Sequence, residues 1–449
     1  MIPRSSPDGA HFMNMASRRN AAQPGLWNLF AWLGHSCDQA AGIFLSPLVI
    51  VVYARSIERD IVQLSLIVSG FGLAWVAGAA IGPLLQRMTS RVMPWIVGGY
   101  IVRTSAIVLL AYSAADRGSP SEQRFRSALI CITAYAAATG IARSAEARKM
   151  LSLPAREAFQ VRSVAGFTGT VVILLCGAWA MWSVLSTDSL AWSRAFGRVW
   201  SLSAVALGVA TLAAIKQGSG AVDIPLARLQ PSSMTPAPHV KKSGVLAIAV
   251  GLAIIVLGEV ASLLALFEDF RRDSIVIRSS LALFAMGWII GHIGVGLASK
   301  RFASGIVLQV SIGLGALGMI AALALQDVSR ADWFPETVGD YRTLSIVVFA
   351  IAASFGAAAA ARRHTMSLIV SRSFTEQSAL TIVCGLAAGA APVIVALIGR
   401  ETSVEWILIV GIVASLLTLV LAGILDPSSA SRRPSLRQDQ LSPALMSRR

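Results

Sequence analysis

The chain has 449 residues, of which 55% are hydrophobic and only 14% are charged, and its mean hydropathy is +0.69. This apolar content is too high for two or three water-soluble domains, so we predict an all-α membrane protein. The formal net charge of +15 does not indicate a nucleic-acid-binding protein, because the basic residues lie between apolar runs and form no compact basic module.

The chain begins with a polar segment, residues 1–25, that contains Arg18 and Arg19. It has no apolar core before Leu26, so we do not expect a cleavable signal peptide. From Leu26 onward there are twelve apolar segments, each long enough to cross a hydrocarbon core of about 30 Å as a helix. The predicted spans are 26–54, 61–85, 92–114, 127–147, 160–185, 195–216, 244–267, 274–299, 303–326, 344–361, 375–399 and 404–425.

The distribution of charge between these spans predicts their orientation. If both termini lie on one side, that side carries 24 Lys and Arg residues, the other side carries 13, and Arg103 lies within a span. Acidic residues divide the opposite way, 7 against 14. Because cytoplasmic loops carry an excess of Lys and Arg, we expect both termini in the cytoplasm.

The longest interruption on the cytoplasmic side is rich in proline, serine and glycine, which disfavour a packed element. It predicts a linker between two halves of the chain. The expected organisation is a cytoplasmic N-terminal tail at 1–25, a six-helix bundle at 26–216, the linker at 217–243, a second six-helix bundle at 244–425 and a cytoplasmic C-terminal tail at 426–449.

Two short repeats indicate that the halves are duplicated. The segment 82–91 (GPLLQRMTSR) has a counterpart at 296–305 (GLASKRFASG), 214 residues later. The segment 148–153 (RKMLSL) is echoed at 363–368 (RHTMSL), at an offset of 215. The repeats align the second span with the eighth and the fourth with the tenth.

The first of these loops resembles the signature of the major facilitator superfamily: a glycine, three residues, an acid, an arginine, any residue, a glycine and two basic residues. Gly82, Arg87 and Arg91 match this signature, whereas Gln86 stands at the acidic position. The resemblance implies a fold of twelve transmembrane helices in two six-helix bundles. It also implies that the loop takes part in gating.

The second copy of the loop is more divergent. Gly296 and Arg301 match the signature, and Lys300 occupies the acidic position. We interpret both copies as packing hinges with basic flanks on the cytoplasmic side.

Within the superfamily, residues 32–87 are similar to bacterial exporters of the enterobactin-exporter and secretion-effector type. The similarity is carried by Leu33-Gly34, by Ser46-Pro47-Leu48 and by Gly82-Pro83-Leu84. It implies a secondary active transporter in the bacterial inner membrane that exports a small amphipathic molecule by alternating access, coupled to protons. Uptake would use the same parts.

Polar residues within apolar spans are candidates for the transport site, because an ionisable group in lipid costs at least ~2.5–3.5 kcal/mol unless it has a partner or faces water. On the first span they recur at helical spacing and form one polar stripe. The stripe consists of Asn28, His35, Asp38, Gly42 and Ser46. We predict that Asp38 binds and releases a proton; alternatively, it lines the cavity or pairs with His35 or Arg103.

Two further charges lie deep in predicted spans. Arg103 is about a dozen residues into the third span, where it requires an anionic substrate or a carboxylate such as Asp38. Glu259 is deep in the seventh span, the counterpart of the first. We interpret Asn28, His35, Asp38, Arg103 and Glu259 as the substrate- and proton-binding set.

Arg143 and Glu146 are one helical turn apart at the cytoplasmic end of the fourth span. We predict that they pair with each other and act as gating or anchoring residues, together with the repeated loop.

No enzyme signature is present in the sequence. The four cysteines lie singly in apolar runs, which favours packing roles over a disulfide or metal site. We therefore predict no enzyme activity, cofactor or metal, and no nucleic-acid partner; the expected partners are a small-molecule substrate, protons and the lipid bilayer, with the protein a monomer. The rival interpretations are a membrane-embedded transferase and a transporter-like receptor or assembly factor.

Overall fold

The structure, a computed structural model, describes seven helical stretches and several short pieces of the chain. The described residues are 24–45, 49–50, 53, 57, 61–89, 92–116, 118–151, 192–220, 290–291, 293–294, 297–298, 304–329, 354, 386, 389–390, 393–394, 397 and 404–424. The helices are α1 (Pro24–Ile43), α2 (Ile61–Thr89), α3 (Met93–Ala115), α4 (Ser121–Leu151), α5 (Trp192–Gly220), α6 (Ser304–Ser329) and α7 (Val404–Ile424).

These helices coincide with predicted spans. Helices α1 to α4 correspond to the first four spans, α5 to the sixth, α6 to the ninth and α7 to the twelfth. The fifth and seventh spans lie outside the described residues, as do most of the eighth, tenth and eleventh. Within the part of the chain that the structure describes, four helical segments are long and apolar enough to cross a membrane: Leu66–Leu85, Met93–Ala115, Ser121–Glu146 and Phe196–Gln217.

Helix α3 lies at the centre of the described N-terminal half. It packs against α4 and α5, while α2 packs against α4 and α1 packs against α5. In the C-terminal half, α6 packs against α7. This arrangement brings side chains from α1, α3 and α4 to one place within the bundle.

Glycine allows α2 and α4 to approach closely. A Cβ atom at Gly78 would collide with the backbone carbonyl of Ala137, and one at Gly140 would collide with the carbonyl of Trp75. In a membrane the hydrophobic effect does not drive helices together, because the lipid tails are as apolar as the side chains. Small residues at a crossing let the two helix backbones approach and pack tightly. The close crossing fixes the position of the C-terminal half of α4, which carries Arg143 and Glu146.

An aromatic cluster joins α5 to the segment that follows α1. The ring of Tyr53 meets Phe196 and Trp200 edge to face, with centroids 5.4 and 4.7 Å apart. Trp200 is fully buried, and its Nε1 donates to the carbonyl oxygen of Phe44 across 3.0 Å. These contacts anchor the end of α1 that follows Asp38.

Candidate functional site

Asp38 on α1 forms ion pairs with arginines from two other helices. Its Oδ1 accepts a hydrogen bond from Nη2 of Arg103 on α3, in an ion pair. Its Oδ2 accepts from Nη2 of Arg143 on α4, 2.5 Å away. Each oxygen of this buried carboxylate therefore faces a guanidinium group.

Glu146 on α4 is the second carboxylate of the site. Its Oε2 accepts from Nη1 of Arg143 at 3.3 Å, which is the pair expected from the sequence. Its Oε1 accepts from the hydroxyl of Tyr100 on α3 at 2.8 Å. Arg143 thus bridges the two carboxylates, and Tyr100 ties Glu146 back to α3.

Arg103 is held between two tyrosine rings. Its Cζ lies 5.1 Å from the ring centroid of Tyr100 and 4.9 Å from that of Tyr135, both within cation–π range. Its Nη2 also donates to the hydroxyl of Tyr135 at 2.9 Å. The ring of Tyr135 stacks on Phe71 of α2, with centroids 6.5 Å apart, so the packing extends to a fourth helix.

Together these contacts form a closed ring of residues. Asp38, Arg103, Tyr100, Glu146 and Arg143 form a continuous circuit of hydrogen bonds, ion pairs and one cation–π contact, which we call the charge ring. Its two carboxylates and two guanidinium groups balance in charge. This balance satisfies the requirement that charges buried in a bilayer be paired.

Arg143 is the most solvent-exposed residue of the charge ring. The side chain of Arg143 is 42% exposed and that of Glu146 is 10% exposed, whereas Arg103 and Asp38 are 1% and 0% exposed. His35, one turn before Asp38 on α1, is half-buried. Solvent or a ligand would therefore reach the ring first at Arg143 and Glu146.

Arg103 retains hydrogen-bonding capacity that the described residues do not use. Its Nε and Nη1 atoms are buried and have no hydrogen-bond partner among those residues. A guanidinium carries five N–H donors, and those on Nη2 are engaged by Asp38 and Tyr135. The remaining donors are suited to an acceptor group that enters the site.

The structure brings together four of the residues predicted from the sequence. Asp38 pairs with Arg103, one of the interpretations left open, and the predicted pair of Arg143 with Glu146 is joined to them through Asp38. The gating role of Arg143 and Glu146 stays a prediction. Gly82 packs against Ser144 on α4, where a Cβ would meet the serine side chain.

Other predicted residues lie wholly or partly outside the description. Asn28, Gln86 and Arg87 are in α1 and α2, but their side chains are not described. Glu259, Arg91, Gly296, Lys300 and Arg301 lie outside the described residues. Their assignment to substrate binding or gating stays a prediction.

The sequence analysis missed Tyr100 and Tyr135. A signal for Tyr135 exists, because Tyr135, Thr139, Arg143 and Glu146 recur every three or four residues and mark one face of α4. Tyr100 precedes Arg103 by three residues and so lies on the same face of α3. Spacing from a known buried charge would have selected both tyrosines.

Comparison with known proteins gives no match to any family model and no match to a curated protein. Solved structures do match. The chain is similar to a partially occluded, inward-open xylose transporter XylE from E. coli, with 13% identity, a TM-score of 0.56 and coverage of 88% of this chain and 97% of that one. It is also similar to a D-xylose-proton symporter, with 13% identity, a TM-score of 0.61 and coverage of 87% and 96%.

A third similar structure is that of the nucleoside transporter NupG, with 12% identity, a TM-score of 0.55 and coverage of 89% and 99%. The structure of XylE bound to a bromodeoxyglucose is described as one of the major facilitator superfamily and also matches, over 89% of this chain. The chain has the major facilitator fold. This confirms the predicted all-α membrane architecture of two six-helix bundles.

The major facilitator fold gives the charge ring its setting. The ring joins the first, third and fourth predicted spans, all of which lie in the predicted N-terminal bundle. The specific resemblance to the enterobactin-exporter type is not addressed by the structural neighbours and stays a prediction.

Proposed function

We propose that the protein is a secondary active transporter that moves a small molecule across the bacterial cytoplasmic membrane by alternating access. The proposal includes coupling to protons, transport in the export direction, and termini on the cytoplasmic side of a monomeric protein. It is supported by a fold shared with proteins named as a xylose transporter and a nucleoside transporter. In this mechanism two bundles rock around a site near the middle of the membrane.

The charge ring is the observation that carries the proposal. Three ionised side chains, those of Asp38, Arg103 and Glu146, are buried among α1, α3 and α4, and burying charge is expensive. A purely structural bundle would gain stability from apolar packing in their place. A balanced ring responds to one added proton or one bound anion, because either event leaves an uncompensated charge. Such a response couples ligand binding to movement of the helices.

The spare donors of Arg103 support a role for the ring in binding. A guanidinium fixed between two aromatic rings is preorganised, so a substrate acceptor reaching Nε or Nη1 would cost little reorganisation. Glu259 on the other bundle remains the proposed partner of this site from the second half.

Uptake is the second candidate function. Its support is that one similar structure is named a D-xylose-proton symporter, so the same fold serves transport in which substrate and proton move together. The two directions differ in their response to an imposed pH gradient.

The test is flux in proteoliposomes containing the purified protein, with D-xylose, uridine and ethidium as radiolabelled or fluorescent probes. Transport predicts probe movement that depends on the protein, with an imposed pH gradient accelerating export or uptake. Asp38→Asn and Glu259→Gln should each reduce gradient-driven flux at least tenfold. Equal flux in wild type and both variants, with and without the gradient, would overturn coupling; no flux of any probe above empty vesicles would count against transport of these compound classes.

A further inference from the structure

The two carboxylates of the charge ring differ in what surrounds them. Both oxygens of Asp38 accept hydrogen bonds from guanidinium groups, those of Arg103 and Arg143. A guanidinium has only N–H donors and no acceptor. A proton on Asp38 would therefore create a buried O–H group facing N–H donors, which is an unsatisfied arrangement that costs free energy.

Glu146 has a different partner on one of its oxygens. Its Oε1 accepts from the hydroxyl of Tyr100 at 2.8 Å. A phenolic hydroxyl both donates and accepts. When a proton binds Oε1, the new carboxyl O–H can donate to the Tyr100 oxygen, while the hydrogen of Tyr100 rotates away. One O–H bond forms, no other covalent bond breaks, and the carboxyl proton finds an acceptor.

We propose that Glu146 is the residue that binds the coupling proton and that Tyr100 is its positioning residue, while Asp38 stays ionised as the fixed counter-ion of the two arginines. This inference rests on the proton coupling proposed above and assigns the proton to a particular group. It differs from the expectation drawn from the sequence, which placed the proton on Asp38.

The groups around Glu146 agree with this assignment. Tyr100 faces it from α3 and Arg143 from its own helix, and Asp38 of α1 acts on it through Arg143. Helix α2 carries one ionisable residue, Arg87, whose side chain lies outside the description.

Protonation of Glu146 changes the net charge of the ring from zero to plus one. The excess falls on Arg143, which loses one of its two carboxylate partners. Arg143 is also the most exposed of the four charged side chains. Protonation of Glu146 therefore frees Arg143 from one ion pair, and Arg143 is the arginine of the ring that an incoming ligand can reach.

The test is infrared difference spectroscopy of the purified protein during a pH titration. Between about pH 6 and pH 9, exposed carboxylates of ordinary pKa stay ionised, so a C=O band of a protonated carboxyl in this range reports a buried acid. We expect the band in wild type and its loss in Glu146→Gln. Tyr100→Phe should keep the band and move it to higher wavenumber, because the carboxyl loses its hydrogen-bond acceptor.

Tyr112→Phe is the matched control, since Tyr112 lies on the same helix and is 74% exposed. Its spectrum should equal that of wild type. A band kept in Glu146→Gln would overturn the assignment, and the absence of any titrating band in wild type would overturn it altogether. Neither result depends on substrate flux, so the assignment can fail while the proposed transport stands, or the reverse.

Discussion

Asp38 and Arg143 are 105 residues apart in the sequence, and Nη2 of Arg143 donates to Oδ2 of Asp38 across 2.5 Å. This contact ties the first helix of the bundle to the fourth. Since Arg103 occupies the other oxygen of the same carboxylate, Asp38 is the shared anion of two cations from two different helices. The stability of the bundle and its response to charge both depend on that carboxylate.

Replacing Asp38 by Asn should strongly destabilise the protein. The change leaves Arg103 and Arg143 without their shared anion, and breaking a buried ion pair from one side costs about 3–5 kcal/mol. Denaturant unfolding in detergent, followed by tryptophan fluorescence, measures the loss.

The control is Glu122→Gln, which removes the exposed pair of Glu122 with Arg126 one turn along α4. Exposed pairs of this kind contribute about 0.3–0.5 kcal/mol. Equal effects of the two substitutions would contradict a central role for Asp38.

The sequence predicted the helices well and the charge ring in part. Apolar runs locate transmembrane helices because each must match the thickness of the bilayer, and all seven described helices coincide with predicted spans. Asp38 and Arg103 stood out as charges in apolar runs, so their pairing was among the interpretations. The link from Asp38 to Arg143 depends on how α1 and α4 are rotated and packed, which one sequence does not encode locally.

The sequence analysis missed Tyr100 and Tyr135 for a related reason. Tyrosine is compatible with any apolar helix, so the presence of Tyr100 and Tyr135 does not by itself indicate a functional role. Their role depends on the position of Arg103 between their rings, which follows from the packing of α3 against α4.

Two adjacent glycines on α3 should respond in opposite ways to alanine. At Gly99 a Cβ would lie 2.7 Å from the Cβ of Ala142 and 3.2 Å from the carbonyl oxygen of Ala138, whereas at Gly98 nothing lies within 4 Å. Gly99→Ala should force α3 away from α4 and cost about 1–3 kcal/mol. Gly98→Ala should be neutral or stabilising by up to about 1 kcal/mol, because alanine favours the helix.

Melting temperatures of the two variants in detergent, compared with wild type, check this prediction. A loss of stability in Gly98→Ala as large as that in Gly99→Ala would show that α3 and α4 do not pack as described.

The contact between Gly389 and Leu73 joins the two halves of the chain, and adding one methyl group at Gly389 should destabilise the protein. Gly389, in the predicted eleventh span, would place a Cβ 2.9 Å from both the backbone nitrogen and the Cγ of Leu73 on α2. Gly389→Ala should therefore cost about 1–3 kcal/mol. Leu73→Ala in the same chain should recover part of that cost, because the clash with the side chain is removed and the clash with the backbone remains.

A double-mutant cycle of melting free energies measures the coupling between these positions. Additive effects of the two substitutions would indicate that Gly389 and Leu73 are not in contact.

The turn between α3 and α4 should show a pH dependence of its own. Asp116 accepts from the hydroxyl of Ser119 at 2.6 Å and from the backbone N–H of Gly118 at 3.0 Å, and these bonds, chiefly that of Ser119, hold the pKa of Asp116 below its ordinary value. A lowered pKa in the folded state stabilises the fold above the ordinary carboxyl pKa of about 3.9, and the contribution is lost as the pH falls through the folded value.

Ser119→Ala should raise the pKa of Asp116 toward the ordinary value, and Ser119→Thr, which keeps the hydroxyl, should leave it low. Carbon NMR titration of labelled aspartate carboxyl groups measures both. An unchanged pKa in Ser119→Ala would show that the serine hydroxyl does not hold the carboxylate.

The most direct test of proton-coupled transport is the movement of protons themselves. Proteoliposomes loaded with the pH indicator pyranine should show a change of internal pH when a transported probe is added to wild type. Glu146→Gln should abolish that change, and Tyr112→Phe should leave it intact. A probe that crosses the membrane in wild type with no accompanying change of internal pH would contradict the account.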